Sequence, residues 1–264
     1  MKDIIPLSPR DYDAVLFDLD GVLTRTASVH AAAWKKLFDG FFEQRATQAD
    51  EPFVPFDFDT DYPRYVDGKP RYDGVAAVLK SREIEIPWGT PEDGPDVQSV
   101  CALGNLKDQY FLQHLEQHGA EPYEAAIALV RKLRTQDIKT AVVSSSNNCA
   151  AVLAAVNIAQ LFDARVDGTD LTRLELKGKP APDAFFEAAR RIGAEPARAV
   201  IVEDAIAGVA AGRTGRFGCV IGVDRGGHAQ ALRAAGADVV VTNMAEVRVA
   251  VEPASAWALV FEGF

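Results

Sequence analysis

The chain has 264 residues, room for one core of ordinary size plus a smaller inserted unit. Hydrophobic residues make up 48% of it and charged residues 25%, so a sizeable buried core is within reach and disorder over most of the length is excluded. The net charge of −10, without any long basic run, argues against nucleic acid and anionic membrane surfaces as partners. An anionic substrate must then be drawn in by local positive charge.

The opening stretch MKDIIPLSPRDYD has no apolar core of the kind a secretory leader needs. Residues 13–20 then form a short apolar run that ends in acids before Gly21, the pattern of a buried parallel strand entering a turn. Asp18 and Asp20 stand two apart, so strand alternation lets both address one ligand at the strand end. A carboxylate of ordinary pKa, about 3.9, is an anionic oxygen nucleophile at neutral pH. Two close carboxylates invite a divalent cation, or one of them is held protonated and serves as an acid. The plainer alternative is an Asp-Gly turn capping a following helix.

From about Ala27 to Asp108 the text changes character. An amphipathic helix, Ser28–Phe42, opens this stretch and a second, near Val97–Gly119, closes it. Between them lies EPFVPFDFDTDYPRY, rich in Pro, Asp and aromatics; Glu51–Pro63 is expected to be an ordered loop, since so many aromatics argue against disorder. The predicted division is a core of residues 1–26 and 109–264 with a helical cap of 27–108.

Further strands are predicted at Thr140–Ser145, Ala199–Asp204, Cys219–Val223 and Asp238–Thr242. Helices are predicted at Tyr123–Thr135, Ala150–Val156, Pro182–Ile192 and Ala205–Gly212. Strands alternating with helices imply an α/β fold, a doubly wound, Rossmann-like parallel sheet whose ligands bind beyond the carboxyl ends of the strands. Three further motifs carry polar groups, two of them at strand ends. Ser144-Ser145-Ser146-Asn147-Asn148 offers hydroxyls and N–H groups suited to phosphate oxygens, or simply an N-cap. Lys179, before Pro180 and Pro182, is either a cation held at a fixed place or a solvated loop residue. Glu203-Asp204 closes an apolar strand, and adjacent acids there are costly unless they meet cations or donors. A helix dipole accounts for one of them but not both. Cys101, Cys149 and Cys219 lack metal-ligand spacing and read as isolated thiols of a reducing compartment, which makes a cytoplasmic location the simplest expectation. Met244 and the aromatics of Trp257–Phe264 read as packing groups.

In order and placement the four motifs resemble those of the haloacid dehalogenase superfamily across the whole core. The resemblance implies Asp18 as a nucleophile forming an aspartyl-phosphate, Asp20 as general acid/base, Ser144 as a phosphate ligand and Lys179 as the neutralising lysine. It implies Mg²⁺ held by Asp18, the main-chain carbonyl of Asp20, Glu203 and Asp204. The second aspartate favours phosphoryl transfer over dehalogenation.

The segment Asp18–Lys35 is similar to the β-phosphoglucomutase-like subfamily through Thr26, His30 and Trp34, and Asp67–Gly74 (DGKPRYDG) resembles that subfamily's substrate loop. These likenesses imply Thr26 and His30 as residues that position Asp20, and Arg71 as the grip on a distal phosphate. Lys107 falls near the sugar, and Ser145, Ser146 and Asn148 fall in the polar loop after the motif serine. The segment Phe38–Tyr65 is longer than in compact mutases. The implied activity is a sugar-phosphate mutase taking β-glucose 1-phosphate to glucose 6-phosphate. A phosphatase on the same scaffold is the alternative, and a non-catalytic sugar-phosphate binder the minor one. The expected partner is a small sugar phosphate, and the expected state a monomer or weak homodimer.

Overall fold

The computed structural model describes residues 6–250; the aromatics of Trp257–Phe264 lie outside the described residues. Six parallel strands make the central sheet: β2 (Ala14–Phe17), β3 (Lys139–Val143), β4 (Ala164–Val166), β5 (Ala199–Glu203), β6 (Cys219–Val223) and β7 (Val239–Val241). Their spatial order is β4-β3-β2-β5-β6-β7. The first sheet strand is thus central, with later strands added first on one side and then on the other. The order reverses between β2 and β5, and ligands of such sheets bind at that crevice. A short parallel pair, β1 (Pro6–Leu7) with β8 (Arg248–Val249), stands apart from this sheet.

Alternation explains why the core strands read as continuous apolar runs. Val15, Phe17, Val200, Val202 and Ile221 face one hydrophobic cluster, which includes Ile127, Val130 and Leu133 of α4 (Glu124–Arg134). Leu16, Ala141, Val143, Ile201 and Val220 face the other, with Phe185, Ala188 and Ala189 of α7 (Asp183–Ile192). Both faces are buried, so no polar face breaks the run. Cys101, Cys149 and Cys219 are buried free thiols, and Met244 is buried. Among the described residues no helix is long and apolar enough to cross a membrane.

The chain leaves the core at Thr26 into α1 (Ala27–Ala49), continues through α2 (Arg71–Ser81), and returns along α3 (Val100–His118). Trp34, Phe38, Phe42, Phe56, Val75 and Val78 pack these segments into a separate apolar cluster. Phe38 lies in it with its ring 5.5 Å from Trp34 and 5.1 Å from Phe56. Phe56 sits in the irregular segment after α1 yet is fully buried, and Lys35 and Asp39 bond its carbonyl and N–H at 3.0 and 2.9 Å. A single π-helical turn, Tyr62–Val66, follows. Position 108 falls inside α3, whose Phe111 belongs to the sheet-side cluster, so this helix spans from the cap into the core.

Two elements differ from expectation. β4 carries only ARV, too short and too charged to stand out as a strand. The DGKPRYDG stretch is a loop only as far as Pro70, and Arg71 opens α2. Gly74 in the first turn of α2 lowers its intrinsic helicity. It lies so close to Trp34 that an added Cβ would be 3.2 Å from Cζ2, so packing sets the helix.

Near the sheet's edge α6 (Gly168–Arg173) is tied to α7 by charge. Asp170, in α6, accepts from Arg173 at 2.6 Å and lies 2.8 Å from Arg191 Nη2 of α7. Arg191 in particular holds its carboxyl down to about 2. A carboxylate depressed in the folded state stabilises the fold above its unfolded pKa, about 3.9, and that contribution fades as pH falls toward the folded value. Asp170→Asn is expected to lower stability at neutral pH by about 1.5–3 kcal/mol. The gap to wild type in urea midpoint should shrink between about pH 4 and pH 2. An unchanged gap at the acid end would show that the pair does not act through its charge.

Candidate active site

The site begins where β2 and β5 end. Asp18 N–H still bonds Val202 O at 2.9 Å, which continues the ladder one step and brings Asp18 level with the end of β5. Asp18, Glu203 and Asp204 there offer carboxylate oxygens that all lie within 4.8 Å of one another. Two glycines make room for these acids. Gly21 has φ +84°, and a Cβ on it would lie 1.7 Å from Asp204 Oδ2. A Cβ on Gly208, in α8 (Ile206–Thr214), would lie 1.8 Å from Glu203 Oε1. Three clustered hard oxygen donors fit a small divalent cation.

Lys179 closes the cluster from below. Its Nζ lies 2.5 Å from Asp18 Oδ1, 2.5 Å from Glu203 Oε1 and 3.3 Å from Val143 O, and the residue is 3% exposed. Burial disfavours its charge, but Asp18 and Glu203 outweigh this and hold the ammonium protonated. Asp18 behaves oppositely. Burial drives its pKa well up, and Glu203 and Asp20 add to this against the pull of Lys179. Asp204 is likewise raised by burial and by Asp67, Asp18 and Glu203. The sequence alone suggests an Asp18 of ordinary acidity. In the fold, one lysine cannot neutralise this many buried carboxylates, and a dication would reverse the shift.

Asp20 points away from that cluster toward the cap. Its Oδ1 accepts a short hydrogen bond from Thr26, and its Oδ2 lies 3.4 Å from Ser144 Oγ. Burial raises its pKa, but His30 and Thr26 prevail and bring it down to about 2. His30 Nε2 lies 3.3 Å from Asp20 Oδ1, while Lys107 Nζ lies 2.5 Å from His30 Nδ1. An ammonium only donates, so Nδ1 accepts and the ring proton sits on Nε2, facing Asp20. His30 stacks on Phe111 at 4.0 Å, and both burial and Lys107 lower its pKa. Burial brings Lys107 down to about 8, with Asp108 and Asp20 opposing.

The cap loop 67–70 rests on the core. Ser145 Oγ donates to Gly68 O at 2.8 Å, and Pro70 packs so tightly on Gly178 that a Cβ there would lie 2.1 Å from Pro70 Cγ. A cavity of about 650 Å³ remains beneath, walled by Asp18, Asp20, His30, Arg71, Lys107, Ser144, Ser145, Ser146, Lys179 and Asp204. Thr26, Asn148 and Glu203 are not on its wall. Thr26 supports Asp20, Glu203 supports Lys179, and Asn148 Nδ2 donates to Asp108 Oδ1 at 2.8 Å. Arg71 Nη1 lies 2.6 Å from Asp108 Oδ2, so Asp108 links the cap arginine to the core loop.

Three further residues of this cavity escape the sequence reading. Asp108 follows Lys107 directly but gains its meaning only from Arg71 and Asn148. Tyr62 and Asp67 also line the wall. Burial and the Glu203 charge raise Asp67 to about 7, and Tyr62 is raised well up by burial and by Asp67. Asp67 opens the DGKPRYDG stretch, so its place there is the signal that could have found it.

The family model described as haloacid dehalogenase-like hydrolase matches residues 12–215. A protein of Mycobacterium bovis named β-phosphoglucomutase is 47% identical over 242 residues, covering 90% of this chain and 92% of that protein. A Bacillus subtilis protein of the same name is 32% identical, covering 89% of this chain and 91% of its own. The crystal structure of a β-phosphoglucomutase from Clostridium difficile superposes with a TM-score of 0.70 at 22% identity, covering 90% of this chain and 93% of that one, which shows the shared fold.

Gly21 offers a direct check on this geometry. In Gly21→Ala the new methyl collides with Asp204, and the positive φ is strained for any side chain. A displacement of about 1 Å at a reacting group can cost about 10²-fold in rate. The variant should stay folded by circular dichroism while phosphoryl-transfer turnover drops by about that factor. Full turnover would mean that Asp204 is not held as described.

Proposed function

The chain belongs to the haloacid dehalogenase-like hydrolase family, and on that footing we propose that it is a sugar-phosphate mutase, a β-phosphoglucomutase working through Asp18. The observation that carries this reading is Asp20. Its carboxylate is gripped by Thr26 at the cap hinge and faced by His30 of the first cap helix. Such an arrangement makes proton transfer depend on the cap being in place, which suits a reaction whose acceptor is a sugar hydroxyl enclosed by that cap.

In this proposal Asp18, the main-chain carbonyl of Asp20, Glu203 and Asp204 would hold Mg²⁺. When bound, that ion supplies positive charge to the phosphoryl oxygens and to the crowded carboxylates. Lys179 adds a fixed charge on the other side of Asp18, and Ser144 with the following loop donates to phosphoryl oxygens. Arg71 holds the phosphate that does not react, and Lys107, beside His30, lies near the sugar.

The cycle starts from phosphorylated Asp18. The 6-hydroxyl of β-glucose 1-phosphate attacks phosphorus while Asp20 accepts its proton, and the bond to Asp18 breaks. The bisphosphate then turns within the closed cavity. Asp18 attacks the phosphoryl group at position 1, Asp20 returns the proton to the departing sugar oxygen, and glucose 6-phosphate is released. The protein's work is positioning and charge neutralisation. The cap must keep water out, because water attacking phosphorylated Asp18 gives inorganic phosphate instead.

The test is incubation with β-glucose 1-phosphate, Mg²⁺ and a trace of glucose 1,6-bisphosphate. Glucose 6-phosphate is the expected product. Inorganic phosphate without it would identify a phosphatase, and binding without turnover a non-catalytic sensor. Asp18→Ala should abolish turnover with the fold intact by circular dichroism; wild-type turnover would remove Asp18 from the nucleophile's role. Chelation with EDTA should stop the reaction, and added Mg²⁺ should restore it.

A further inference from the structure

Gly21 has to be glycine because Asp204 occupies the place of its side chain, yet glycine is the residue least able to fix its own backbone. Something else must hold it. Its N–H donates to Thr24 O at 2.8 Å, which fixes the peptide before it. The peptide after it is held from outside the loop: Arg225 Nε donates to Gly21 O at 2.7 Å.

Arg225 lies just past β6, and its Nη1 donates to Thr242 O at 3.2 Å just past β7, so the guanidinium ties Gly21 to the ends of two strands. Its plane is set by Tyr123, whose ring centroid lies 3.7 Å from the guanidinium carbon. Tyr123 N–H bonds Leu23 O at 2.8 Å, so the aromatic platform belongs to the same assembly as the loop. Arg25 covers the same ring at 4.5 Å.

We propose that Arg225 is a positioning residue: Thr24 O holds the peptide that carries the Asp20 carbonyl, and Arg225, by holding Gly21 O, fixes the glycine on which that peptide turns and keeps Gly21 pressed on Asp204. The inference rests on the reading of the Asp20 carbonyl as a cation ligand. Arg225 touches neither cation nor substrate in this role. Its effect passes through two main-chain peptides, much as outer partners of a metal site orient the inner ligands.

The experiment is calorimetric titration of Mg²⁺ into the full chain without substrate, for wild type, Arg225→Ala, Arg225→Gln and Arg225→Lys, alongside steady-state kinetics with β-glucose 1-phosphate. Losing such a partner typically costs about 10–100-fold in metal affinity or activity. The Mg²⁺ Kd of Arg225→Ala should therefore rise by about tenfold or more, and kcat at limiting Mg²⁺ should fall while KM for the sugar phosphate stays within about threefold. Arg225→Lys restores one donor and should recover part of the affinity. A lower melting temperature with unchanged Mg²⁺ Kd in Arg225→Ala would make the residue a structural brace and overturn the proposal. Should that variant fail to fold, unchanged Mg²⁺ Kd values in both Arg225→Gln and Arg225→Lys would overturn it equally. If wild type forms no glucose 6-phosphate, the mutase reading fails, while the Mg²⁺ titration still decides the role of Arg225.

Discussion

One buried ammonium between two buried carboxylates is the contact on which the rest of this site depends. Lys179 reaches Asp18 and Glu203 at the same distance of 2.5 Å, and thereby joins the ends of β2 and β5 with a charge from a third segment. Buried ions are costly unless paired and hydrogen-bonded, and here the third acceptor, Val143 O, comes from β3. The balance is still short of positive charge, because Asp204 and Asp67 add to the same enclosed field. The upward pressure on Asp18 and Asp204 is the measure of that deficit. Such a deficit, beside three carboxylates whose oxygens lie within 4.8 Å of one another, fits a divalent cation.

The two aspartates of the first strand end are separated in role by their neighbours. Asp18 faces the core and meets Lys179; Asp20 faces the hinge and meets Thr26 and His30. Two residues apart in the chain, they sit in opposite electrostatic settings, one pushed up and the other brought down to about 2. Divergent settings for paired carboxylates are how a single site holds groups for different tasks. Because Thr26 is where the chain enters α1, the same hinge that carries the cap also orients Asp20, the group proposed to handle the proton.

How much of this was legible in the chain follows from where each signal comes from. Buried parallel strands are apolar on both faces, so β2, β5 and β6 appear as runs, and acids at their ends appear as interruptions with a purpose. β4 offers three residues, one of them Arg165, and its pairing with β3 cannot be read locally. α2 is hidden because Pro70 and Gly74 both argue for a loop, and only the contact with Trp34 explains the helix. In the site, Asp18, Lys179, Glu203 and Asp204 are marked by strand ends and prolines. Asp108 carries no such mark, and Arg225, although just past β6, has no neighbouring proline to single it out. Each matters through a partner distant in sequence, Arg71 and Asn148 for the first and Gly21 for the second.

The contacts that close the cap over the cavity are mostly made by backbone and small residues. Gly68 meets Ala205, Pro70 meets Gly178, and Gly68 O takes the Ser145 hydroxyl. None of these has a long side chain, so the fit is one of close-packed shape. The charged link between cap and core runs instead from Arg71 through Asp108 to Asn148, where a carboxylate occupies the donors that a substrate phosphate would need. On the proposed function, a substrate phosphate would have to compete with Asp108 for the Arg71 guanidinium. Substrate binding and the seating of the cap would on that reading be coupled through one arginine, and the enclosure that keeps water from Asp18 would form around the ligand that needs it.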